Sequence, residues 1–156
     1  MNGACVSGYS GIEEQLLKYG NVASVTEGES MKPLFKTHRD TVVIERVESG
    51  LKKYDVVLYK SGGNFVLHRI VKLLPKKGVY IIRGDNTYRN EYVPPSDIIG
   101  RLSGFNRAGR GYTSVESGGY RFYSKVWVFI YPIRYVLHFP IAFFKRVFRK
   151  IFRKRK

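Results

Sequence analysis

The first half of the chain changes from a helical pattern to a series of short apolar runs. Ile12, Leu16 and Tyr19 fall on one face of a helix and Gly20 supplies a C-terminal stop, so the pattern predicts a short helix over Ile12–Tyr19. From residue 41 onward, β-branched and aromatic residues cluster in runs that predict strands. These runs are Thr41–Ile44, Val56–Tyr59, Phe65–Val71, Val79–Arg83 and Ile98–Leu102.

Turn-forming residues separate these predicted strands at short intervals. Ser61-Gly62-Gly63-Asn64 and Gly84-Asp85-Asn86 are two such turns. Because the connections are too short for crossover helices, the sheet should be antiparallel and rich in hairpins. The predicted fold is therefore mainly β, with a short N-terminal helix, and residues 1–103 are predicted to form one domain.

The segment that follows is rich in glycine. Five glycines with Ser, Thr and Asn lie between Gly104 and Gly119. This composition is typical of a flexible surface segment, so residues 104–125 are predicted to be a linker. Residues 126–156 would then form a separate C-terminal tail.

The tail is apolar and strongly basic. Residues 126–144 include Pro132, Arg134 and Pro140, which disfavour a membrane span without excluding it. Further on, phenylalanines alternate at helical spacing with basic residues that have no acidic neighbours, which predicts an amphipathic helix. This helix would lie on an anionic membrane. The structural alternative is that it packs on the core and exposes its cationic face to solvent. The residues predicted to bind the membrane are Phe144, Lys145, Arg146, Phe148, Arg149, Lys150, Phe152 and Arg153.

The charge distribution agrees with a membrane role for the tail. Residues 1–100 contain 14 Lys and Arg against 11 Asp and Glu, a net charge of +3, whereas residues 101–156 contain 14 against one, a net charge of +13. Such polarity indicates a local anionic partner, lipid or nucleic acid. The phenylalanines opposite the charges favour lipid over nucleic acid.

Several other functions find little support in the sequence. The single Cys5 excludes an intramolecular disulfide, and one cysteine with three scattered histidines gives no spacing for a metal site, so no metal or cofactor is predicted. Residues 1–25 lack a basic start followed by an apolar run, so neither a signal peptide nor an N-terminal anchor is expected.

Three polar residues supply the parts of a serine hydrolase. Ser30 would be the nucleophile, although a serine before a proline-containing turn also has an ordinary structural role. His68 lies within an apolar strand, where it would be either the general base or a satisfied core histidine. Asp85 follows a glycine in a turn and would either orient the imidazole or bond the local backbone. Lys72 is an outside alternative for the base.

The order of the motifs resembles the type I signal peptidase family. Ser30-Met31-Lys32-Pro33, Asp55-Val56-Val57-Leu58, His68-Arg69-Ile70-Val71, Gly84-Asp85-Asn86 and Ile99-Gly100 are similar to that family's conserved segments. The resemblance covers about residues 24–105. Within the family, the chain resembles the endoplasmic-reticulum and archaeal branch, in which histidine replaces lysine as the base.

The resemblance implies a signal-peptidase-like β-fold and a serine endopeptidase that cleaves extended peptides after small residues. The resemblance does not decide which acidic residue orients His68, because in the eukaryotic branch that residue lies several positions beyond the glycine-aspartate pair. Either Asp85 or Glu91 would then orient His68. With no export signal, the chain is expected to be membrane-associated, peripheral on the cytoplasmic side or held by one C-terminal span. On the cytoplasmic side it would process a small precursor or leader peptide. If one C-terminal span held it in the membrane, it would instead cleave signal peptides. The alternative is a catalytically idle module that binds lipid or nucleic acid.

Overall fold

The computed structural model describes residues 5–6, 11–48 and 50–138, and for residues 5–6 the backbone only. It is a mainly antiparallel β-fold with a short N-terminal helix and C-terminal helices, which confirms the predicted fold class. Helix α1 spans Ile12–Tyr19, as predicted, and α2 spans Gly118–Phe129. The strands are β1 (Cys5–Val6), β2 (Asn21–Glu27), β3 (Thr41–Glu45), β4 (Val56–Ser61), β5 (Asn64–Leu74), β6 (Val79–Arg83), β7 (Glu91–Val93), β8 (Ile98–Arg107) and β9 (Gly111–Ser114).

The strands form one sheet in the order β1-β2-β3-β8-β4-β5-β6-β7, with β9 paired to β8. Strand β1 also pairs with β5, so six strands close into a ring from which β6 and β7 extend. All pairings are antiparallel. The sheet therefore has the hairpin-rich architecture that the short turns predicted.

Two hydrophobic clusters hold the sheet together. The larger one packs α1 against strands β2, β3, β4, β5 and β8, and includes Leu16, Ile44 and Phe105. The smaller one joins β4, β5, β6 and β7 around Ile70 and Ile82. Both clusters include residues of β4 and β5, so these two strands connect the two clusters.

The prediction of a flexible linker over residues 104–125 is wrong. Residues up to Arg107 continue β8, Gly111–Ser114 form β9, and α2 begins at Gly118. The glycines serve geometry: Gly109 and Gly111 adopt positive φ in the hairpin turn, and Gly104 lies against the Tyr112 ring, where a Cβ would come within 2.1 Å of the hydroxyl oxygen.

The C-terminal helices pack back on the sheet. After α2, residue 130 forms a turn and residues 131–138 are helical again; residues 118–138 are called the arm below. Tyr120 and Ser124 are buried, so the arm is part of the folded body. None of the described helices is both long and apolar enough to cross a membrane. The predicted membrane-binding residues, Phe144 to Arg153, lie outside the described residues.

Candidate active site

Ser30 lies in the turn that follows β2. Met31 and Leu34, in the same turn, are almost completely buried in the larger core cluster and anchor the turn to it. From the other side, the Asn86 backbone N–H donates to the Ser30 carbonyl oxygen at 2.7 Å. The backbone of Ser30 is therefore held between the core and the Gly84–Asn86 turn.

His68 lies on β5, directly opposite Val57 of β4. The Nε2 atom of His68 is 2.8 Å from Ser30 Oγ. Residues 30 and 68 are 38 positions apart in the chain, and each is only 3% exposed. The structure therefore brings together the two residues that the sequence singled out as nucleophile and base.

The other ring nitrogen of His68 faces an acid and a phenol. Its Nδ1 atom is 3.2 Å from Glu91 Oε1 and 3.0 Å from the Tyr59 hydroxyl oxygen. The Tyr59 hydroxyl donates to Glu91 Oε2 at 2.7 Å. Glu91 is thus the acid beside His68, and Tyr59 fixes the orientation of its carboxylate.

These contacts determine the tautomer of the imidazole. An ionised carboxylate can only accept hydrogen bonds, and the single Tyr59 proton is already donated to Glu91. The His68 Nδ1 atom must therefore carry a proton and donate it. In neutral imidazole this leaves Nε2 as an acceptor, so the Ser30 hydroxyl donates to His68 Nε2, which is the arrangement that general-base activation requires.

The local electrostatics keep the acid charged and the phenol neutral. The hydrogen bond from His68, with a further one from Tyr59, holds the pKa of the Glu91 carboxyl below its usual value despite partial burial. Burial and the adjacent Glu91 carboxylate raise the pKa of Tyr59. At neutral pH Tyr59 therefore remains a hydrogen-bond donor to an anionic Glu91.

Gly84 allows the turn to approach the Ser30–His68 pair closely. A Cβ at this position would lie 2.7 Å from the Ser30 carbonyl oxygen and 2.9 Å from His68 Nε2. Real Cβ atoms do not come this close to such atoms. Any other residue at position 84 would therefore displace Ser30, His68 or the turn.

Asp85 does not orient His68 in this structure. Its carboxylate accepts from Arg69 Nε at 2.8 Å and from Arg69 Nη2 at 2.7 Å, and it also accepts from the Tyr123 hydroxyl at 3.2 Å. Arg69 is the neighbour of His68 in β5 and is fully buried. Of the two acids left open by the sequence, Glu91 occupies the position beside the imidazole, whereas Asp85 pairs with a buried arginine.

No family model and no curated protein matches this chain. The resemblance to signal peptidases therefore stays a prediction from the motifs.

The Arg69–Asp85 pair anchors both the turn and the arm. The second terminal nitrogen of Arg69, Nη1, donates to Ser124 Oγ at 2.8 Å and to the Tyr54 carbonyl oxygen at 3.0 Å. Burial disfavours the charge on Arg69, but the Asp85 carboxylate outweighs this effect and raises the pKa of the guanidinium. We infer a structural role for the pair, because its bidentate geometry satisfies both buried charges.

An Asp85→Asn variant should therefore lose stability. Removing one partner of a buried ion pair leaves the other charge uncompensated, so the free energy of unfolding is expected to fall by about 3–5 kcal/mol. Trp127 is the only tryptophan of the chain, and its fluorescence during denaturant unfolding measures the loss. Glu45→Gln, which breaks the partly exposed Glu45–Arg101 pair, is the control and should cost at most about 1 kcal/mol. Equal losses in the two variants would contradict the structural role.

Lys72, the outside alternative for the base, is exposed, and the register of β5 against β6 shifts between Ile70 and Lys72. The shift disturbs the strict alternation that would have placed Lys72 on the face of His68.

Among the described residues, no group of three or more His, Cys, Asp or Glu side chains is placed to hold a metal ion.

Sequence reasoning missed Tyr59, Arg69 and Gly84 as residues of the site. A signal for Tyr59 was present, because a two-residue Gly62-Gly63 turn fixes the β4–β5 register and puts Tyr59 on the same face as His68. An arginine in the middle of an apolar strand was likewise a signal for a buried acidic partner.

Proposed function

We propose that this protein is a serine endopeptidase. His68 accepts the Ser30 hydroxyl proton while Ser30 Oγ attacks the carbonyl carbon of a peptide bond. The protonated imidazole then gives its proton to the departing amine, which leaves an acyl group esterified to Ser30. A water molecule deprotonated by His68 hydrolyses this ester and regenerates the free hydroxyl.

The observation that carries the proposal is the continuous chain of hydrogen bonds from Ser30 through His68 to Glu91. These hydrogen bonds have the His68 tautomer, the order of groups and the distances that activation of a nucleophile needs. A histidine with only a packing role would not require a serine hydroxyl on one nitrogen and a clamped carboxylate on the other. Ser30 and His68 are both buried, which strengthens the contact between them, whereas Glu91 is partly exposed.

Burial of the site sets a condition on substrate entry. Because Ser30 and His68 are each 3% exposed, an incoming peptide must displace part of the cover before it reaches Ser30 Oγ. Beside Ser30, the exposed Asn86 side chain donates from its Nδ2 atom to the Glu29 carbonyl oxygen at 3.2 Å. An extended peptide would replace this contact with its own backbone groups.

The substrate we propose is an extended peptide segment with small residues before the scissile bond, as the motif resemblance implies. The basic, phenylalanine-rich segment from Phe144 to Arg153 is proposed to hold the enzyme on an anionic membrane. Two substrate classes fit this arrangement: a signal peptide, or a small precursor or leader peptide processed on the cytoplasmic side.

The test is cleavage of a library of extended peptides by the full chain in detergent, with products identified by mass spectrometry. We expect cleavage after small residues and no products with Ser30→Ala. Circular dichroism of the variant confirms that it is folded. If no peptide is cleaved by the wild-type chain, with or without anionic vesicles, the proposal fails and the idle binding module takes its place.

A further inference from the structure

The arm has two faces of opposite character. Its inner face holds the Gly84–Asn86 turn: Trp127 Nε1 donates to the Asp85 carbonyl oxygen at 2.9 Å, and Arg134 Nη2 donates to the same oxygen at 2.8 Å. Farther along, the His138 ring stacks on Tyr88 with 4.1 Å between ring centroids. These contacts make the inner face part of the body that supports the site.

The outer face of the arm is apolar and exposed. Phe122 is 71% exposed and Phe129 is 81% exposed, although both are large hydrophobic residues. In α2 the exposed apolar residues recur every three to four positions, which is the spacing of one helix face, and further ones follow in the helical residues 131–138. They form a stripe, called the outer stripe below: Phe122, Val126, Phe129, Ile133, Val136 and Leu137.

The length of the outer stripe distinguishes it from scattered surface residues. At about 1.5 Å of rise per residue, it extends over roughly 20 Å. The opposite face is already packed on the protein, so the stripe is not a misplaced core face. A contiguous apolar surface of this kind marks a site of contact with another phase or molecule.

The charges around the stripe identify the occupant as an anionic surface. The arm, residues 118–138, contains three basic residues, Arg121, Lys125 and Arg134, and no Asp or Glu. Arg121 and Lys125 are exposed on α2, and Lys52 and Lys53 line the same cleft at its start. Two acids also line that cleft, Asp55 and Glu116. The basic groups outnumber them, so the border of the stripe is positive.

We propose that the outer stripe docks the protein on an anionic lipid bilayer, with the arm lying in the plane of the interface. The inference adds a docking surface that belongs to the folded body, separate from the basic segment after residue 143. Apolar side chains enter the acyl boundary while the flanking Lys and Arg meet lipid phosphates, as in interfacial helices.

This placement narrows the substrate, a consequence that rests on the proposed function. The turn beside Ser30 is bound to the inner face of the arm, so only about one helix diameter, roughly 10 Å, separates it from the lipid. Peptide bonds close to the membrane surface would then reach the site, and bonds deep in the aqueous phase would be poor substrates.

The experiment is co-sedimentation of the full chain with vesicles of phosphatidylcholine alone or mixed with phosphatidylglycerol. A Phe129→Glu/Ile133→Glu variant should bind the mixed vesicles about 10- to 100-fold more weakly than the wild type, because two apolar contacts are lost and two charges are buried near lipid. The matched control is Leu17→Glu, which changes an apolar residue on α1 that is 68% exposed; it should bind like the wild type.

Binding that is unchanged in the double variant would overturn the proposal, since the segment after residue 143 would then account for all attachment. The proposal would also be overturned if the wild type sedimented as a dimer and the double variant lost both binding and dimerisation, because the stripe would then contact a second copy of the chain. Ser30→Ala should bind as the wild type does. Failure of catalysis and failure of docking are therefore separate results.

A second measurement reports the depth of the stripe. In a Phe129→Trp variant, brominated lipids should quench the added fluorescence, whereas the emission of Trp127 on the inner face should change little in the wild type. Equal lack of quenching in both proteins would contradict insertion of the stripe.

Discussion

Replacing Ser30 with alanine, or His68 with alanine, is expected to lower kcat for a cleaved peptide by about 10⁶-fold. The two losses should be of similar size, and the double variant should be no worse than either single variant. The physical reason is that nucleophile and base act as one unit across the 2.8 Å contact between Ser30 Oγ and His68 Nε2. Steady-state cleavage with each variant measures the effect.

The control for this prediction is His38→Ala. His38 is exposed and carries no assigned role in the site. The substitution therefore changes a histidine without touching the Ser30 environment and should leave kcat near that of the wild type. Additive losses in the Ser30 and His68 variants would contradict a shared catalytic unit.

A Glu91→Gln variant is expected to lose about 10⁴-fold in kcat. The amide can present its NH₂ group to His68 Nδ1, which favours the tautomer with the proton on Nε2. That tautomer cannot accept the Ser30 proton. The carboxylate also stabilises the imidazolium formed during attack, and the neutral amide would not.

Comparison with Tyr59→Phe separates the negative charge of Glu91 from the hydrogen bond that orients its carboxylate. This change removes the hydroxyl that donates to Glu91 Oε2 but leaves the negative charge in place, so we expect a smaller loss than in Glu91→Gln. If Glu91→Gln retained wild-type kcat, Glu91 would be a surface acid without a role in the reaction.

The strands were predictable wherever local pattern and burial agreed. Strand Val79–Arg83 was predicted with its observed bounds, because apolar residues fill it and turns flank it. Strand β2 was missed, since Val25 on it is exposed and its apolar residues do not alternate cleanly. The arm was divided between a linker and a tail because five glycines suggested flexibility, although two of them form the β8–β9 turn and one approaches the Tyr112 ring closely.

The sequence singled out the two central residues of the site and left its acid open between Asp85 and Glu91. Ser30 and His68 stood out because polar groups interrupt otherwise apolar or structural segments. Asp85 was the more obvious acid from its glycine-led turn, yet its carboxylate pairs with Arg69 at 2.7 Å. Arg69 and His68 are neighbours on a strand, so they point to opposite faces. Only the tertiary structure shows which acid lies on which face.

Direct detection of the acyl-enzyme would test the central claim most sharply. A cleaved peptide from the library, mixed with the full chain and quenched in acid before turnover is complete, should leave the mass of its N-terminal fragment, as an acyl group, on the proteolytic fragment that contains Ser30. The Ser30→Ala protein should show no such addition and no cleavage. Cleavage by Ser30→Ala at the wild-type rate, or an acyl group on another residue, would contradict the assignment of Ser30 as the nucleophile.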